Sequence, residues 1–280
     1  MGTSASSKGA PSGVPLVPPW VPDAVPADGQ DGDAADQQTP GTQPPPAAPQ
    51  QPVPIAPPGR FGPSRISLGQ YARSGSSDEM RRGLGHYVGK GLGGAGTAVR
   101  RFGGTARTAG TLYGALSSAA SGQAAAPGSP FDPALLAGRT ASEIMDAVVE
   151  AVRPIDGTQD TEASRQAIRN ALSELLNRFP DADLLNLSED ERVFAIERYV
   201  AVDVYNRFHL DVGKAIQDKA PGIAATLTRF KEVKDYIKET VSAAFRQVRA
   251  AGQALNARRI AQMVRQALGE TFRVFEEYVR

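Results

Sequence analysis

The sequence predicts an all-α protein: a helical bundle with a long disordered Pro-rich N-terminal arm and a Gly-rich helical segment between the two. Three observations carry that expectation. Most of the 22 prolines of the 280-residue chain fall between Pro11 and Pro63. Apolar residues at helical spacing become dense only beyond about Thr140. Between these regions runs a Gly- and Ala-rich stretch with few large side chains, and nowhere does a segment read as a strand or an internal repeat.

Residues 1–62 form the arm. QQTPGTQPPPAAPQQPVPIAPPG is a Pro/Gln linker that cannot bury enough apolar surface to offset the entropy of ordering it. Its prolines favour extended polyproline II, so it acts as a semi-rigid spacer. The single tryptophan of the chain, Trp20, stands inside this arm, where a solvated tail has no need of a large ring.

Residues 63–120 form the basic Gly/Ala-rich segment. Ser77 ahead of Asp78 and Glu79 suggests a helix start, residues 89–96 a glycine-rich turn, and Val99, Phe102, Ala106, Ala109 and Tyr113 a second helix reaching about Leu116. Each glycine in a helix interior costs about 1 kcal/mol, so this segment needs a neighbour to be stable. Tyr87, Arg100, Arg101, Phe102, Gly103, Gly104, Gly110 and Tyr113 are the expected interface with that neighbour. Residues 80–131 hold Arg81, Arg82, Lys90, Arg100, Arg101 and Arg107 and no acid, against a net charge of +1 for the whole chain.

Residues 121–138 read as a linker, and 139–280 as the α-helical bundle. Thr140 caps a helix running to Val152, which Arg153-Pro154 ends. Thr161 opens a second helix with Ile168, Ala171, Leu172, Leu175 and Phe179 along one stripe. Ser188 and Glu191 have capping-box spacing ahead of Val193, Ile196, Val200, Val204 and Phe208. Pro221-Gly222 precedes a long helix carrying Ile223, Leu227, Phe230, Ile237, Val241 and Phe245. The last helix carries Ile260, Val264, Leu268, Phe272, Phe275 and Val279. Five such helices with short connections make a bundle.

The chemistry-bearing side chains are few. There is no cysteine, which excludes disulfides and thiolate chemistry and fits a cytoplasmic protein. The two histidines, His86 and His209, belong to no recognised catalytic pattern, so the chain is not expected to be an enzyme, to hold a metal or to need a cofactor. Gly89-Lys90-Gly91-Leu92-Gly93-Gly94 matches G-x-G-x-x-G in form, but no strand precedes it and no Ser or Thr follows the lysine. The basic run could meet phosphates, although it lacks interleaved exposed aromatics. No run of about 18 apolar residues exists, so no membrane partner is expected. The small residue at position 2 favours removal of Met1, which would expose Gly2.

MGTSASSKG and VPLVPPW, followed by YARSG and LGHYVGKGLGGAGTAVRRFGGTARTAGTLYGAL, resemble the QatB family, one component of the Qat anti-phage defence systems of bacteria. The resemblance covers about residues 2–23 and 66–116; the later helices match in general character only. Such systems also contain an ATPase (QatA), a QueC-like enzyme (QatC) and a TatD-like nuclease (QatD), and QueC enzymes use ATP to build the nitrile of 7-cyano-7-deazaguanine. The resemblance implies a non-enzymatic partner of QatC whose Gly2 is presented to that enzyme and conjugated to a deazaguanine base, with QatA and QatD as further partners. On that reading Pro18-Pro19-Trp20 is a pre-extended anchor, and Leu16, Val17 and Trp20 fill apolar pockets on the enzyme. The alternatives are a ring folded back onto the bundle, and a basic helical adaptor that binds nucleic acid or the ATPase.

Overall fold

The computed structural model describes residues 15–17, 55–123, 129–249 and 254–280. Eleven α-helices follow one another among these: α1 Gly62–Ser74, α2 Ser77–His86, α3 Ala95–Arg101, α4 Gly103–Ala120, α5 Pro133–Leu136, α6 Ala141–Val152, α7 Gln159–Arg178, α8 Glu189–Val212, α9 Lys214–Gln217, α10 Ile223–Val248 and α11 Ala257–Glu277. No strand occurs among the described residues, only an isolated antiparallel bridge between Pro15 and Ile55.

The expected caps are present where a polar side chain can take up free amides. Thr140 with Glu143, and Ser188 with Glu191, form complete capping boxes at α6 and α8. The second helix of the bundle begins earlier than expected. Thr158, not Thr161, is its N-cap, and it accepts from the Thr161 amide. Thr161 is buried, and its hydroxyl donates to Asp156. The competing cap is a local Asx-type turn at Asp156, which also accepts from the Thr158 amide at 2.9 Å.

The stripes on α7, α8 and α11 are buried as their spacing requires, except for Phe179 and Val279, which lie past the helix ends and are half-buried. That on α10 is buried only from Val233 onward. Ile223 and Leu227, expected in the core, are 83% and 65% exposed, on the side of the helix away from the partly buried Ala225, Thr226 and Arg229.

One core runs from Phe61 to Phe275, so the Gly-rich helices and the C-terminal bundle share it. α8 is its central column, carrying buried Tyr199, Val200, Val202, Val204 and Phe208. Antiparallel to α11 lies α4, close enough that a Cβ on Gly110 would stand 2.6 Å from the Ala257 carbonyl oxygen. Only a glycine permits that approach.

Candidate arm-docking site

The glycine-rich turn builds the site. After α2 the chain widens into a π-helical turn over Tyr87–Gly91, where the Leu92 amide donates to the Tyr87 carbonyl at 2.9 Å. The Gly94 amide then returns to Val88 at 3.0 Å. Gly93 and Gly94 adopt φ of +80° and +91°, a region that favours glycine. These amides are spent on the turn itself, which agrees with reading the G-x-G-x-x-G match as backbone packing rather than a phosphate loop.

Each missing side chain leaves a slot. The Phe61 ring lies directly over Gly91 and stacks on Tyr87 at 5.6 Å between ring centres. A Leu16 methyl occupies the slot at Gly93, 2.6 Å from where a Cβ would stand. Leu16 is 4% exposed and Val17 8%, and Arg101 donates to the Leu16 carbonyl oxygen at 3.3 Å. Leu16 and Val17, expected to fill pockets on a partner, close in the isolated chain on its own body, Leu16 in the slot that Gly93 opens beside the Arg101 guanidinium. Gly2, Pro18, Pro19 and Trp20 lie outside the described residues.

Burying a Leu and a Val contributes about 3–5 kcal/mol. Fixing the backbone of three residues costs about 3–6 kcal/mol. The two are of similar size, so the contact adds little net free energy to the fold.

Beneath the docked segment lies a buried polar cluster. Tyr87 Oη donates to Asp211 at 3.0 Å and meets Phe208 edge-on at 5.3 Å. Burial pushes the Tyr87 phenol well above its usual range, helped by the Asp211 charge. Burial also raises the Asp211 carboxyl, while Arg101, the Tyr87 hydrogen bond and Arg60 pull it back. Arg60 is buried with its guanidinium 4.9 Å from the Phe61 ring centre. Burial and then Arg101 lower its pKa, and its Nε and Nη1 find no acceptor among the described residues.

Arg207 completes the cluster. It bridges Asp160 at 2.9 Å and Asp203 at 3.2 Å while covering Phe102 at 5.1 Å. Burial disfavours its charge, but the two aspartates outweigh burial and raise its pKa. Thr105 donates to the fully buried Asp203 at 2.6 Å. The cavity among Tyr87, Arg101, Phe102, Asp160, Arg207 and Asp211 measures about 30 Å³, room for a water molecule and far below the several hundred Å³ of a small-molecule pocket.

The residues expected at an intermolecular interface are largely spent within the chain. Tyr87, Phe102, Gly110 and Tyr113 are buried, Phe102 against Phe272 and Tyr113 beneath Arg192. Arg100, Gly103 and Gly104 are half-buried, with open space above Gly104. Two of the six cations counted as uncompensated are paired, Arg82 with Glu79 at 2.9 Å and Arg81 with Asp78 at 3.9 Å, because the acids sit one helical turn earlier. His209 lies edge-on to Phe230, and burial lowers its pKa. Among the described residues no group of three His, Asp or Glu could hold a metal ion, and no helix is long and apolar enough to cross a membrane. Arg60, Asp203 and Arg207 join the site without being expected there, and Gly93 acts in it as a slot for a side chain. Asp-x-x-x-Arg spacing on α8 was the one available signal.

A family model described as Qat anti-phage system associated protein QatB matches residues 93–275, more than half of the chain. The chain belongs to the QatB family. It is therefore a component associated with a Qat anti-phage defence system. The QatB match begins at the glycine under Leu16 and ends at Phe275, so it lies mostly on the bundle rather than on the arm and Gly-rich blocks that carried the resemblance. No curated protein and no solved structure matches the chain.

Proposed function

We propose that this chain is a non-enzymatic component of its Qat system that offers its N-terminal arm to the QueC-like enzyme, with Gly2 as the group conjugated to a deazaguanine. The observation that supports the reading is the weakly held seat of Leu16 and Val17 on Gly93 and Arg101. A substrate arm needs a fixed point of origin on its carrier and a hold light enough to yield. Gly2 precedes Leu16 by 14 residues, so an extended chain reaches at most about 50 Å from that seat. The enzyme then binds beside α3, and Trp20, four residues beyond Leu16, is close enough to anchor on it.

Intact mass of the full chain after co-expression with the QueC-like enzyme tests this. A mass increase of one base on the N-terminal peptide is expected, and Gly2→Val abolishes it. Trp20→Ala weakens binding to the enzyme by about 2 kcal/mol, as loss of an aromatic anchor does, and leaves the melting temperature of the isolated chain unchanged. A wild-type mass that stays unmodified overturns the conjugation, and a melting temperature that falls with Trp20→Ala places the ring on the bundle.

A further inference from the structure

Two acid-free stretches of the sequence meet along one seam. Residues 80–131 contain no Asp or Glu, and neither do residues 241–269. In the fold these become α3–α4 and the N-terminal half of α11, antiparallel neighbours at backbone distance. Gly110 faces Ala257 and Ala261, Gly114 faces Ala257, Val99 touches Gly269, and Phe102 packs on Phe272. That register sets Arg107 level with Arg265, one on either side of the seam and both exposed. Exposed Arg258 stands two turns before Arg265 on the same face of α11, and half-buried Arg100 lies on α3.

Some exposed arginines elsewhere have counter-ions, Arg139 pairing with Glu143 at 3.3 Å and Arg249 with Asp190 at 2.7 Å. The seam gathers cations where its helices carry no acid; the carboxylates of α11, Glu270, Glu276 and Glu277, all lie in its C-terminal half, with Glu270 held by Arg273. A polyanion supplies the missing charge.

The neighbouring side chains select among polyanions. Gln262, Gln266 and Thr111 are the other exposed groups along the seam. The large apolar side chains exposed among the described residues lie elsewhere, on α1, α5, α8, α10 and loops, and Val274 of α11 turns toward the groove with α10. An acidic protein partner needs buried aromatic or apolar anchors. An anionic membrane needs an apolar face to insert, and single strands need aromatic platforms. Phosphates of a duplex need only cationic and amide donors.

We propose that the α3–α4/α11 seam binds the phosphate backbone of duplex nucleic acid, without reading base sequence. The inference is independent of the arm reading, since no residue of the arm takes part.

Fluorescence anisotropy of the full chain with a labelled DNA duplex of about 20 base pairs tests it. Binding at about 50 mM salt is expected, indifferent to sequence, with log K falling linearly against log salt. Arg107→Gln with Arg265→Gln is expected to weaken binding at least about tenfold and to reduce the salt slope by about 2. Both arginines are exposed, so the double variant is expected to keep the melting temperature of the wild type. Lys214→Gln with Lys231→Gln, on other faces and each in an ion pair, leaves the affinity unchanged. Failure of the wild type to bind the duplex overturns the proposal. So does a double arginine variant that binds as well as the wild type, or polyglutamate or anionic vesicles bound as tightly as the duplex.

Discussion

The Gly-rich helices α2–α4 and the helices α6–α8 enter the same core by opposite means. In α7 and α8 the buried stripe is made of Ile, Leu, Val and Ala, and Thr and Ser side chains cap the first turns of α6, α7 and α8. In α2–α4 the packing partner is often an absence. Leu68 sits on Gly83, Phe61 on Gly91, Leu16 on Gly93 and the Ala257 carbonyl on Gly110. None of the three helices has a side-chain cap. A stripe of side chains specifies burial but tolerates repacking. A row of holes specifies which neighbour fits and tolerates almost nothing added.

The largest effect that contrast predicts is on stability. Gly110→Leu drives a side chain into the backbone of α11 and should cost about 3 kcal/mol or more, whereas Leu175→Met in α7 should cost less than about 1.5 kcal/mol. Denaturant midpoints with unchanged slopes would measure both. Equal losses would erase the distinction between the regions. The capped helices should instead be sensitive at their ends. Ser188→Ala removes half of a capping box, with an expected loss of about 1 kcal/mol.

Acid titration sharpens the comparison further, because the two regions respond with opposite sign. Asp211, beneath the Gly-rich turn, has its pKa raised by burial. Its contribution is complete below the ordinary carboxylate value and is lost as pH rises through the folded-state value. Asp211→Asn should therefore gain stability relative to wild type as pH rises from about 4 to 7. Asp156, in the loop before α7, is held at about 2 against an ordinary 3.8, first by the Thr161 hydroxyl and then by Thr158. Its contribution is present above 3.8 and fades as pH falls toward about 2. The Asp156→Asn deficit should close over that interval. Thermal melts of each variant against wild type at stepped pH would show both slopes, and two slopes of the same sign would contradict the assignment.

The smallest equilibrium effect belongs to the arm. Leu16→Ala should shift the unfolding midpoint of the chain by less than about 1 kcal/mol, since burial and ordering nearly cancel at that seat. Limited proteolysis should nonetheless cut near residue 16 faster in the variant. An unchanged cleavage rate would mean that Gly93 and Arg101 do not hold the segment.

The legible parts were those governed by neighbours in sequence. The cap at Thr140, the capping box at Ser188, the stripe on α8 and the glycine-rich turn near 89–96 depend on groups three or four residues apart. Thr161 misled because an aspartate and a threonine just upstream compete for the same free amides. Ile223 and Leu227 misled because periodicity marks a face without saying how far the neighbouring elements extend.

By itself the sequence determined that the chain is helical, that a Pro-rich arm precedes a bundle, and that glycine and arginine concentrate in one segment. Composition and spacing suffice for these because helix formation is set by local hydrogen bonding, chain entropy and the density of apolar side chains. Only the tertiary structure decided that the glycines receive Phe61, Leu16 and α11 of the same chain, that Arg60 and Asp211 meet under the arm, and that two acid-free segments face each other across a seam. Phe102 and Phe272, which meet across that seam, are 170 positions apart. The contact energies that select among such pairings appear only when the chain has closed on itself.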